Sequence, residues 1–149
     1  MKTIKILMLL LMAVLQLTSC HSDDDDEVVI NQTDLPSAAQ AFLNNYFNGL
    51  QVKRVEKETE KGANKYEVFL ADGTEVEFDQ SGAWTSVDCK SKAVPAAIVP
   101  EAIGRYVAEN YPNLAIVQIE RESYGYEIEL SNDLDIQFDH DFKLIKAGS

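Results

Sequence analysis

The sequence predicts an α+β fold of two tandem units, each a helix followed by antiparallel strands (α-β-β-β-β), with the helices packed on one face of the sheet. Three observations carry this expectation. The chain matches itself along most of its length, first at an offset of 64 and then of 60. Each matching segment opens on a proline followed by apolar residues at helical spacing. Each then turns to period-two alternation of apolar and acidic residues, the mark of a sheet with one buried and one solvated face.

The first residues stand apart from this pattern. Met1–Cys20 carries Lys2 and Lys5, then an unbroken apolar run from Ile6 to Leu15. The run fits a secretory leader and is too short to span a bilayer. It ends at Leu17-Thr18-Ser19-Cys20, which resembles the lipobox of bacterial lipoproteins, so residues 1–19 are expected to be a signal peptide and Cys20 the lipidated residue. Several acyl chains, at roughly 0.8 kcal/mol per buried CH₂, make such an anchor stable.

His21-Ser22-Asp23-Asp24-Asp25-Asp26-Glu27 follows. Successive acids repel and resist burial, so residues 20–33 read as an acidic tether. The same cluster just after a lipidated cysteine resembles the export signal of surface lipoproteins in one group of Gram-negative bacteria, and the two readings are compatible.

From residue 34 to 149 the chain reads as one domain made of units at about 35–89 and 94–148. Leu35-Pro36 falls on Val99-Pro100, Leu43 on Val107, Phe47 on Tyr111 and Val55-Glu56 on Ile119-Glu120. Tyr66-Glu67-Val68 then meets Tyr126-Glu127-Ile128, and Val76 and Phe78 meet Ile136 and Phe138. The length change falls at Glu60–Asn64, among turn-forming residues.

Pro36 and Pro100 suit a first helical turn, where no backbone donor is needed. Ala39, Leu43 and Phe47, like Ile103, Val107 and Tyr111, form one apolar stripe per helix. Gly49 and Pro112 end them. Strands are expected at 66–70, 74–78 and 83–88, and again at 126–130, 136–138 and 142–146, with hairpin turns at Asp72-Gly73 and Asn132-Asp133. A single unit would be marginal alone, whereas two can share a core.

Tandem units of this form, with Leu35-Pro36 or Val99-Pro100 before the helix, Tyr66-Glu67-Val68 or Tyr126-Glu127-Ile128 in the strands, and Asp72-Gly73, resemble the PepSY-like, β-lactamase-inhibitor-like secreted domains of bacterial lipoproteins. The resemblance spans roughly residues 35–148 and implies a binding role: inhibitors that grip an enzyme with a concave sheet face, or modules that restrain proteases. One departure is plain. The β-lactamase inhibitors hold each repeat with a disulfide, whereas only Cys89 remains here once Cys20 is acylated. No inhibitory residue is carried over.

The net charge of −12 falls to −14 when Lys2 and Lys5 are set aside, which disfavours nucleic acid as a partner. No catalytic constellation is expected. His140 lies between Asp139 and Asp141, where a turn is predicted. Cys89 reads as a small semi-buried hydrophobe. Asp133, Asp135, Asp139 and Asp141 alternate with Leu134, Ile136 and Phe138, which spreads carboxylates along a strand and does not converge them on a metal. No cofactor or metal is expected.

What remains is an open sheet face presenting Glu67, Phe69, Glu75, Glu77, Glu127, Glu129, Asp135 and Gln137, with Trp84 nearby. Such a face suits a basic protein or peptide partner, charge speeding encounter and aromatics anchoring. The chain is thus expected to be a noncatalytic, lipid-anchored binding or inhibitory module of the cell envelope, at its periplasmic or surface face. The alternative is a structural or accessory subunit of an envelope assembly with no soluble ligand.

Overall fold

The computed structural model describes residues 27–148. The leader, Cys20, His21 and Asp23–Asp26 lie outside the described residues. Among the described residues the strands are β1 (Val28–Val29), β2 (Val52–Glu60), β3 (Ala63–Leu70), β4 (Glu75–Phe78), β5 (Trp84–Asp88), β6 (Ile116–Glu122), β7 (Gly125–Leu130), β8 (Asp135–Asp139) and β9 (Leu144–Ala147). The helices are α1 (Ser37–Tyr46) and α2 (Glu101–Asn110), with a 3₁₀ turn at Gln32–Asp34.

This arrangement corrects the expected fold class. The molecule is not an α+β pair of tandem helix-plus-sheet units. It is mostly β, a single nine-stranded sheet in which every neighbouring pair is antiparallel and strand order follows chain order, with two ten-residue helices among the described residues. The join is the β5–β6 ladder, which pairs Ser86 with Glu120, Val87 with Ile119 and Asp88 with Gln118. Had the halves formed separate sheets, β5 and β6 would each present a row of unpaired N–H and C=O groups.

The helices form where the prolines and apolar stripes predict. Pro36 and Pro100 take the N-cap positions, and Phe47 and Tyr111 close the C-termini through N–H bonds to the carbonyls of Leu43 and Val107. Leu43 and Val107 are buried, each contributing about 2 kcal/mol by removal from water. Fully buried Val68, Val76, Phe78, Val87, Ile119, Ile128, Ile136 and Phe138 meet the helices from the sheet. In β3, β4 and β8 the burial alternates strictly, so the face opposite the helices is carried by Glu67, Phe69, Glu75, Glu77, Asp135 and Gln137.

Four ladders carry a bulge that resets this alternation, among them β2–β3 between Val52 and Arg54 and β6–β7 between Ile116 and Gln118. The β4–β5 register shifts between Glu77 and Phe78, and the β8–β9 register shifts between Gln137 and Phe138. In β5 the extra residue is Thr85: Trp84 opposes Phe78 on the helix side, while Ser86 opposes Glu77 on the open side. One added residue sends the side chains beyond it to the other face.

Candidate partner-binding face

The open face is organised by the ladder registers into rows that cross the strands. One row runs Glu56–Glu67–Glu77–Ser86–Glu120–Glu127–Gln137–Lys146, each residue directly opposite the next across seven ladders. A second runs Arg54–Phe69–Glu75–Asp88–Gln118–Glu129–Asp135. Adjacent strands lie about 4.8 Å apart, so five of the eight positions in the first row are carboxylates in line, interrupted by one serine.

Like charges directly opposite one another destabilise a sheet, and the ionisation of the row reflects it. Burial raises the pKa of Glu67, and the charges of Glu77, Glu75 and Glu56 push it further in the same direction. Burial likewise raises Glu120, reinforced by Glu122 and Glu127. Glu129 in the second row is raised by burial and then by Asp135, Asp133 and Asp88.

Local partners relieve part of the repulsion. Arg54 Nε lies 2.7 Å from Glu56 Oε1, and its guanidinium carbon sits 4.3 Å above the Phe69 ring. Lys90 Nζ donates to Glu75 Oε2 at 2.7 Å and to Asp88 Oδ2 at 2.6 Å. Glu127 Oε2 accepts from Tyr124 Oη and from Gln137 Nε2, both at 2.7 Å. Gln118 Nε2 donates to Glu120 Oε1 at 2.6 Å.

Of the residues singled out from sequence, Glu67, Phe69, Glu75, Glu77, Glu127, Glu129 and Asp135 lie together on this face, with Gln137. Trp84 does not. It is 9% exposed on the helix side, its ring 6.3 Å from that of Phe42 and covered by Arg121, whose guanidinium carbon is 4.0 Å from the ring centroid. The Thr85 bulge put it there. Glu56, Glu120, Ser86 and Arg54 complete the face and were not singled out. Lys57 and Arg121, on the helix-side positions of β2 and β6, break the alternation of those strands.

The remaining candidates lie elsewhere. Cys89 is buried, and burial pushes its thiol up, away from the thiolate a nucleophile requires. His140 Nε2 lies 3.0 Å from the Ser123 carbonyl oxygen. Asp139 Oδ1 is occupied by the backbone N–H groups of Asp141 and Lys143. Among the described residues, no group of three or more His, Cys, Asp or Glu is placed to hold a metal ion.

Comparison with known proteins bears on the family and the fold. The model of the family described as "Putative beta-lactamase-inhibitor-like, PepSY-like" matches residues 64–146, more than half of the chain. No curated protein matches. Among solved structures, a "putative periplasmic protein from DUF2874 family" of Bacteroides vulgatus is 41% identical with a TM-score of 0.81, over 84% of this chain and 98% of that one. A "putative calcium-regulated periplasmic protein" of Bacteroides thetaiotaomicron is 40% identical with a TM-score of 0.80, over 83% and 98%. A second Bacteroides vulgatus "putative periplasmic protein of unknown function" is 36% identical with a TM-score of 0.80, over 83% and 100%. With the matched segment running from β3 to β9 and these relatives aligned almost end to end, the chain belongs to the PepSY-like, β-lactamase-inhibitor-like family.

Proposed function

We propose that the protein is a noncatalytic module of the cell envelope that binds a cationic protein or peptide segment through its open sheet face. The carrying observation is the row Glu56–Glu67–Glu77–Ser86–Glu120–Glu127, in which the sheet sets carboxylates opposite one another at a cost to its own stability. An extended strand of alternating basic and apolar residues would neutralise the row, with Phe69 as the apolar contact beside it. The envelope location is supported by the leader and by the relatives described as periplasmic. Lipid anchoring through Cys20 belongs to the same reading.

Affinity capture from envelope extract, with the mature chain as bait, tests this. The control bait carries Glu67→Gln, Glu77→Gln, Glu120→Gln and Glu127→Gln. A partner retained at low salt, and lost both at high salt and with the control bait, is the expected result, because screening weakens exposed charge contacts. A partner retained by the control bait would move the function to the loops or helices. Mass spectrometry of the Cys20 peptide, read for an acyl mass, tests the anchor separately.

A further inference from the structure

We propose that the free edge of β9 takes up the β2 edge of a second copy of this chain, repeating between molecules the β5–β6 junction found within one. This inference concerns a sheet edge and does not rest on the reading of the open face.

The internal junction supplies the template. The β4–β5 ladder pairs Phe78 with Trp84, Glu77 with Ser86 and Val76 with Val87. The β8–β9 ladder pairs Phe138 with Leu144, Gln137 with Lys146 and Ile136 with Ala147, with the bulge at the same step. β9 therefore offers its outer backbone groups in the same phase as β5. The β5 edge is filled by β6, through Ser86↔Glu120 and Val87↔Ile119. The β9 edge is filled by nothing among the described residues, and all four of its residues are exposed, Leu144 at 48% and Ile145 at 51%. An exposed apolar edge is a template for another strand.

β2 is the strand built like β6. Both carry a bulge at their start, after which Val55↔Val68 and Glu56↔Glu67 correspond to Ile119↔Ile128 and Glu120↔Glu127. Among the described residues the outer edge of β2 is covered by β1, at Val28↔Lys57 and Val29↔Glu56, and by the 3₁₀ turn Gln32–Asp34 that follows it; the two valines are 52% and 65% exposed. The strand cover is two residue pairs and one N–H bond from Ile30 to the Val55 carbonyl.

In the repeated junction β1 and the 3₁₀ turn after it give way, Lys146 stands opposite Glu56 of the second copy, and Ala147 stands opposite its Val55. Where the internal junction sets Ser86 opposite Glu120, the repeated one sets a lysine opposite a glutamate. Charge also disfavours pairing two β9 edges, which would bring Lys143 and Lys146 against their own copies. The contact is heterologous, so it propagates beyond a dimer.

Disulfide cross-linking of the full chain, exported by a Gram-negative host and oxidised on whole cells, tests this. The chain carrying both Lys146→Cys and Glu56→Cys should give a ladder of dimer, trimer and larger bands that reductant collapses. Co-expression of the two single variants should stop at the dimer, and neither alone should cross-link. A dimer from Lys146→Cys alone would show β9 pairing with itself and overturn the proposal. Absence of a ladder from double-variant chain exported at the parental level would also overturn it.

The unaltered full chain gives a second measurement, independent of any effect of substitution on folding. A zero-length carbodiimide should join Lys146 to Glu56, identified as a cross-linked peptide. Within one molecule those side chains lie on strands seven ladders apart, about 34 Å at ordinary spacing, so the link can form only between copies. Lys146 linked to a different protein, or not linked at all, would remove the second copy as occupant.

Discussion

β5 and β9 follow the same kind of hairpin and the same bulge, yet one lies inside the sheet and the other bounds it. At the position opposite the buried phenylalanine of the preceding strand, β5 places Trp84 and β9 places Leu144. Trp84 is 9% exposed because β6 lies beside it and lends Arg121 as a lid. Leu144 is 48% exposed because no strand lies beyond it. The turns before the two strands differ in the same sense. Gly82 has φ +83, and a Cβ there would meet Pro36 Cβ at 2.8 Å and the Ala39 nitrogen at 2.9 Å, so both conformation and space require glycine. Phe142 adopts the same left-handed region at φ 60, and its partly exposed ring packs only at the surface, its centroid 5.6 Å from that of Tyr126. What a position tolerates is set by its neighbours across the sheet more than by its place along the chain.

Truncating the two equivalent side chains should separate β5 from β9 by the widest margin. Trp84→Ala should cost about 3 kcal/mol in urea unfolding, while Leu144→Ala should stay within about 0.5 kcal/mol. Equal losses would mean that the β9 edge is already covered in solution. Next, Gly82→Ala should cost about 2 kcal/mol, combining backbone strain with the clash against α1. Phe142→Gly should be nearly neutral in the same assay, since relief of the positive φ offsets the lost ring contact. Arg121→Ala should cost about 1 kcal/mol by removing the cation from the Trp84 face, and Arg121→Lys should recover part of it.

A small effect of opposite sign concerns the acidic row. Glu67→Gln and Glu120→Gln should each stabilise the protein by about 0.5 kcal/mol at pH 7, because each removes a carboxylate held against others. The sign follows from the direction of the shifts. Both carboxyls have folded-state pKa values above their unfolded ones, so their penalty is present above the raised values and vanishes below the ordinary carboxylate range. The gain from either substitution should therefore shrink as pH falls through that window, read as converging urea midpoints. Asp72 and Asp79 act oppositely. Burial raises each, but hydrogen bonds from Lys92 and Thr74, and from Ser81 and Ala83, outweigh it and hold both carboxyls low. Their contribution is present above the ordinary aspartate value and is lost on further acidification, which puts the stability maximum at mildly acidic pH.

Much of the face could be read from sequence because β3, β4, β7 and β8 alternate in plain sight: Tyr66, Val68 and Leu70 against Glu67 and Phe69, and Ile136 and Phe138 against Asp135 and Gln137. Such alternation is local and survives without knowledge of strand partners. The single sheet was not legible, because the β5–β6 ladder joins residues separated by a helix and two loops, and no short-range pattern reports such a pairing. The face residues of β2 and β6 were less plain because Lys57 and Arg121 put charge on the helix side; the role of Arg121 appears only once Trp84 is seen beneath its guanidinium. Trp84 itself was misplaced because a bulge leaves no signature in alternation; Thr85 reads as an ordinary strand residue until its partner is known.

Strand order equal to chain order also has a mechanical meaning. The described chain begins at one rim of the sheet and ends at the other. Tension applied between those ends acts across the strands, so it opens the ladders one after another and does not shear many hydrogen bonds together. Under load such a sheet peels from its rims inward, β1 and β9 first. The well-packed interior around Phe78 and Phe138 would then give little resistance to pulling, however firmly it resists urea.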